Sequence, residues 1–248
     1  MTARMTIEYD GAEFRGWAKQ PGLRTVQEEL ERALCTVLRR ESVQLTVAGR
    51  TDTGVHALGQ VASYEGEPAP VTALNAVLPD DVAVISCEPA PEGFSARFDA
   101  TSRAYTYLLL TRRARTALQR GRALHWPHEL DLTALNECSF SLVGTHDFTA
   151  FTPTETDHVR FERDVYSALW RGSPDGERLE FWIEADTFVR HMNRVLVGTM
   201  LEVASGRRTV ESFRTLLDGA PRSAAGPTAP AHGLYLAGVG YNGERVLG

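Results

Sequence analysis

Apolar and polar residues alternate over Met5–Tyr9, Val43–Val47 and Gln60–Tyr64, the two-residue period of half-buried strands. Runs over Val82–Cys87, Tyr105–Leu110, Val165–Trp170, Leu179–Ile183 and Gly233–Val239 predict further strands. Elsewhere the period lengthens. Val26, Leu30, Leu34, Val37 and Leu38 recur at helical spacing, and Thr25 with Glu28 fits a capping box at the start of that helix. Shorter helices are predicted over Val71–Leu78 and Leu132–Val143, and a main helix over Val189–Ala204, stopped near Gly206. Ser173-Pro174-Asp175-Gly176 between two strands predicts a hairpin. Hairpins with helices grouped around them favour an α+β fold over a doubly wound one. The elements fall into two sets, over residues 1–101 and 102–248, each with strands and helices.

The run Gly49-Arg50-Thr51-Asp52-Thr53-Gly54-Val55-His56-Ala57 lies between two predicted strands, which puts Asp52 in a short loop. A loop on a rigid frame can present a carboxylate to a ligand, and its glycines permit close backbone approach. The same residue types also suit a plain hairpin turn in which Asp52 bonds its own backbone. Arg112, Arg113, Arg115, Arg120 and Arg122 form either a solvated linker or a basic arm. His125 and His128 flank Pro127, which spoils a helical ligand pair, and His56, His146 and His191 are scattered, so all are read as structural or surface residues. The chain shows no phosphate loop of the usual glycine spacing and no plausible metal cluster.

Composition changes this picture little. The chain has 248 residues, 43% hydrophobic and 23% charged, as an ordinary soluble protein does. No apolar run approaches the roughly 20 residues of a membrane helix, and the N-terminus has no signal-peptide core. Cys35, Cys87 and Cys138 are far apart and odd in number, which points to reduced thiols and a cytoplasmic location. The net charge of −6 gives no ground by itself for nucleic-acid binding. Lys19 is the only lysine among 26 basic residues; arginine forks hold phosphates bidentately, although biased codon usage gives the same composition.

The motifs taken together resemble the tRNA pseudouridine synthase A family. The resemblance rests on the Asp52 run and on Tyr9-Asp10-Gly11, Phe14, Gly16-Trp17, Gln20-Pro21, Thr25-Val26-Gln27 and Leu30-Glu31. It continues through Leu74-Asn75-Ala76-Val77-Leu78-Pro79, Phe94-Ser95-Ala96-Arg97-Phe98-Asp99-Ala100 and Arg103-Ala104-Tyr105-Thr106-Tyr107. Gly144-Thr145-His146-Asp147-Phe148, Phe188, His191-Met192, Arg194 and Gly226–Leu234 complete it, so it spans nearly the whole chain. The chain departs from the family pattern at Ala18, Arg190 and Pro221.

This resemblance implies two α+β subdomains whose sheets join into one mainly antiparallel sheet, with the active cleft at their junction. It implies a cofactor-independent isomerase that converts uridines 38, 39 and 40 of the tRNA anticodon arm to pseudouridine, acting as a homodimer on a flipped base. Asp52 is then the nucleophile, Tyr105 the ring that stacks on the base, and Arg194 the partner that keeps the carboxylate ionised; Arg50 is the other candidate for that partner, or else holds a phosphate of the flipped nucleotide. Read from the residues alone, Tyr105 suits strand packing and Arg194 a solvated helix position. Two rival functions share the pattern: a non-catalytic tRNA-binding protein, and a carboxylate-dependent glycoside or nucleoside hydrolase, which needs a second placed acid.

Overall fold

In a computed structural model the protein is α+β, with mostly antiparallel strand pairing. The structure describes residues 1–156 and 159–247. It comprises two compact units: Met1–Arg103 with Tyr235–Val246, and Ala104–Leu234 with Leu247–Gly248. The C-terminal strand thus returns to the first unit.

The first unit holds β1 (Thr2–Tyr9), α1 (Val26–Leu38), β2 (Thr46–Val47), β3 (His56–Glu65), α2 (Val71–Val77) and β4 (Val82–Ala90). The last strand, β10 (Leu234–Tyr241), completes it. Strand order is β4-β1-β3-β10, with β2 antiparallel on β3 and β10 parallel to β3. Met5, Ile7 and Tyr9 alternate inward along β1, as the pattern predicts. Two expectations fail. The strand expected over Val43–Val47 shrinks to two residues, because the Leu45 amide bonds the Glu31 carboxylate at 3.2 Å instead of a neighbouring strand. The capping box is absent: the Thr25 hydroxyl makes no cap bond and is buried without a partner. The Gly16 and Trp17 carbonyls accept from the Val26 and Gln27 amides at 3.3 and 3.1 Å, so the opening loop supplies the cap.

The second unit holds most of β5 (Ala100–Leu110), then β6 (Leu124–His125), α3 (Leu132–Ser141), β7 (Gly144–Asp147), β8 (Glu162–Gly172), β9 (Arg178–Ala185), α4 (Met192–Ala204) and α5 (Val210–Arg214). Strand order is β5-β9-β8-β7, with β6 on β5. The hairpin expected around Ser173–Gly176 forms between β8 and β9. α4 is buried on nearly every side, consistent with its apolar surface. It starts three residues later than expected, because His191 takes a left-handed conformation (φ 63°) that a continuing helix cannot use. β7 and α5 had no expectation; the Thr209 side chain caps α5 by accepting from the Ser212 amide.

Candidate functional site

In the first unit Asp52 sits in the loop between β2 and β3, half-buried. A main-chain bond of 3.1 Å from the Val55 amide to the Asp52 carbonyl closes the turn, with Gly54 at φ 76°. The residues leading into Asp52 are tied down. Thr51 is buried; its hydroxyl lies 2.7 Å from the Tyr9 hydroxyl, and its carbonyl accepts from the Trp17 amide at 3.1 Å. Gln60, fully buried, donates to the Gly49 carbonyl at 2.8 Å and reaches the Tyr9 hydroxyl at 3.4 Å. Burial pushes the Tyr9 pKa up to about 12, so its O–H stays protonated and available to this network.

Two glycines let the opening loop lie against the turn. A Cβ on Gly16, at φ 90°, would stand 2.9 Å from the Thr51 carbonyl and 3.3 Å from the Thr53 nitrogen; one on Gly11 would collide with the Val55 carbonyl. Arg24 holds the same loop from outside: its guanidinium grips Asp81 through bonds of 2.7 and 2.8 Å and lies 4.1 Å from the Phe14 ring centroid. His56, 2% exposed, closes the far side. Its Nδ1 accepts from the Gly11 amide at 3.0 Å, stands 3.0 Å from an Asp10 oxygen, and its ring stacks on Tyr235. Arg50 is exposed beside this turn.

In the second unit Arg194 lies in the first turn of α4, half-buried. It is not a solvated helix position. Its Nε donates to the Ala229 carbonyl at 2.8 Å, and the Ala229 amide returns a bond of 3.0 Å to the Arg194 carbonyl. Gly198 lets that segment settle on the helix, since a Cβ there would collide with the Pro227 carbonyl. With Nε engaged, any carboxylate or phosphate contact from Arg194 runs through Nη1 and Nη2. Its charge also reaches Tyr107 and His232, lowering both pKa values; burial outweighs it at Tyr107, whose pKa is raised, and reinforces it at His232, whose pKa is lowered.

Tyr105, on β5, is 8% exposed and packs edge-on to Phe188, centroids 5.1 Å apart. Tyr107, expected as the core member of the pair, is fully buried and donates to the Pro230 carbonyl at 2.8 Å. The arginine-rich stretch folds back onto the β8–β9 turn. Arg112 bonds the Ala114 carbonyl and Glu177, and with Arg115, Leu118, Asp175 and Arg178 it lines a cavity of about 480 Å³.

Sequence reasoning missed how Tyr9, Trp17, Thr51 and Gln60 support the loop. The available signals were the Tyr9 and Trp17 motif positions and a glutamine at an inward strand position, where buried amides need partners.

Comparison with known proteins explains why these parts occur together. A family model described as tRNA pseudouridine synthase matches residues 5–99 and 139–242. The chain belongs to the tRNA pseudouridine synthase family. It is similar to the tRNA pseudouridine synthase A of Bacillus pumilus (strain SAFR-032), 39% identical over 98% of this chain and all of that protein. It is equally similar to that of Bacillus subtilis (strain 168), 39% identical over the same shares. With the tRNA pseudouridine synthase A of Geobacillus kaustophilus (strain HTA426) it shares 40% identity over all of this chain and 98% of the relative. Among solved structures there is a distant likeness to a chain of an archaeal box H/ACA sRNP Nop10–Cbf5 complex, with TM-score 0.36 and 11% identity. That likeness covers 81% of this chain and 43% of the other, so the chain spans under half the length of that structure's chain.

Proposed function

We propose that this protein converts uridine to pseudouridine at positions 38, 39 and 40 of tRNA, as a homodimer in the cytoplasm and without a cofactor. The observation that carries this reading is Asp52, half-buried at the tip of a turn whose Thr51, Gly49 and Val55 neighbours are all bonded in place, in a chain of this family. Catalytic geometry depends on such support, since a loose carboxylate spends little time in an attacking position.

The reaction is an isomerisation. The N1–C1′ bond breaks, uracil turns, a C5–C1′ bond forms, and the proton on C5 is lost as N1 gains one. No atom enters or leaves overall, so the chemistry calls for no redox or phosphoryl input. Asp52 supplies the nucleophile, either adding to C6 of the base or attacking C1′ of the ribose. The uridine must first leave its stack, at a cost of about a few kcal/mol. Tyr105 stacks on the extruded base and Arg194 favours the ionised carboxylate, while Arg50, exposed beside the turn, takes a flanking phosphate.

The test is to incubate the dialysed protein with unmodified tRNA, with and without EDTA, and to map pseudouridine. Modification at 38–40 in both is expected; free uracil as product would make the protein a hydrolase instead. Asp52→Asn should bind tRNA with little change yet lose at least about 10⁴-fold in single-turnover rate. A variant that keeps a tenth of the normal rate would remove Asp52 from the chemistry.

A further inference from the structure

Phe98 is 79% exposed, unusual for so large an apolar ring, and the Arg97 guanidinium lies 5.4 Å from its centroid. The loop that carries them is held from several directions. The Ala96 amide donates to the Ser63 hydroxyl at 3.1 Å, and the Tyr241 hydroxyl donates to the Ala96 carbonyl at 2.8 Å. The Ser95 amide bonds the Asp99 carboxylate at 2.8 Å, and the Phe98 amide bonds the Ser95 hydroxyl at 3.3 Å. Phe94 packs on the buried group of Ala48, Val61, Ala96 and Tyr241. A fixed loop that packs one phenylalanine and leaves the other in solvent presents that ring rather than merely failing to bury it.

The loop is also joined to the Asp52 turn. Arg103, 8% exposed, donates to the Ala48 carbonyl through Nε (3.1 Å) and Nη2 (2.9 Å), and the same Nη2 donates to the Arg97 carbonyl at 2.8 Å. The Arg97 and Ala48 carbonyls therefore lie within two hydrogen-bond lengths of each other, and Ala48 leads directly into Gly49-Arg50-Thr51-Asp52.

We propose that Arg97 and Phe98 form a platform on which an unpaired base of the bound tRNA stacks, with the guanidinium taking the adjacent phosphate. Every base has a π-face, so such a contact tolerates sequence differences among tRNAs. The positive charge matches a phosphate and opposes a cationic partner, and arginine beside an exposed aromatic suits single-stranded RNA better than a helical stem. The platform rests on the tRNA reading above.

Phe98→Trp places a fluorescent reporter at the site, and tRNA should quench it at saturation. Phe98→Leu keeps apolar area without the ring and should raise the tRNA Kd about 5- to 100-fold, whereas Phe98→Tyr should bind as wild type. Arg97→Ala should weaken binding and make the log Kd–log salt plot shallower by about one. At 79% exposure none of the changes at Phe98 should shift the melting temperature, which is checked alongside. Wild-type turnover on the same tRNA tests the enzyme reading separately. Turnover with no quench and a normal Phe98→Leu Kd would overturn the platform and leave the enzyme reading standing. Quench that follows protein concentration without tRNA, or a Phe98→Leu variant of lower oligomeric mass, would overturn it in favour of a contact between copies.

Discussion

At the residue scale the candidate site depends on bonds to distant parts of the chain. Asp52, Arg194 and Tyr105 stood out through motifs, but what holds them is long-range. Thr51 is positioned by Tyr9, and Arg194 by Ala229, pairs far apart in sequence. Arg194→Lys should be severely impaired in single-turnover rate, because an ammonium cannot bond Ala229 and still offer a planar pair of donors elsewhere. A near-normal rate would return Arg194 to a purely structural part. The neighbouring His232 gives a pH test. Burial first, and Arg194 with it, holds its pKa below the ordinary value of 6.5, while a bond to Ala123 pulls the other way. The unfolded chain therefore takes up this proton first as pH falls. Stability should be at its full value above about pH 6.5 and decline as pH drops from there through the folded pKa. Urea melts at pH 7.5 and 5.5 should show a smaller difference for His232→Asn than for wild type; an equal difference would show that other groups set the slope.

At the element scale, strands and helices with a clear period were legible because burial is set by alternation along each one. Their ends were not. α1 takes its cap from the Gly16 and Trp17 carbonyls, β2 loses Leu45 to a Glu31 side chain, and α4 waits for His191 to turn. Each depends on a group outside the local window. The opening loop thus serves two elements together, capping α1 and backing the Asp52 turn. Gly16→Ala tests that coupling against Gly22→Ala. Both glycines have positive φ, 90° and 72°, so each alanine carries a similar backbone cost of about 1–2 kcal/mol. Only the Gly16 Cβ meets the Asp52 turn; nothing lies within 4 Å of the one at Gly22. Gly16→Ala should lose turnover well beyond its loss of stability, and Gly22→Ala should not. Matched rates for the two folded variants would show that the loop and the turn move independently.

At the scale of the whole molecule, the charge and the proposed substrate are at odds. A net charge of −6 repels a polyanion at long range, so binding has to come from local clusters of arginine. Arg50 and Arg97 are exposed in the first unit, and Arg113, Arg115 and Arg120 in the second. Each phosphate neutralised by such a group releases condensed counterions, and log K then falls against log salt by about 0.7 per contact on single strands and about 0.9 on duplexes. If three or more of these arginines engage, the slope for tRNA should be at least about −2, measured at constant magnesium so that the RNA stays folded. The acidic remainder of the surface weakens binding at low salt and leaves the slope intact, because the slope counts contacts made rather than net charge. A flat plot with retained turnover would mean that tRNA is held mainly by stacking and neutral hydrogen bonds. In that case the near-exclusive use of arginine would reflect composition and not recognition.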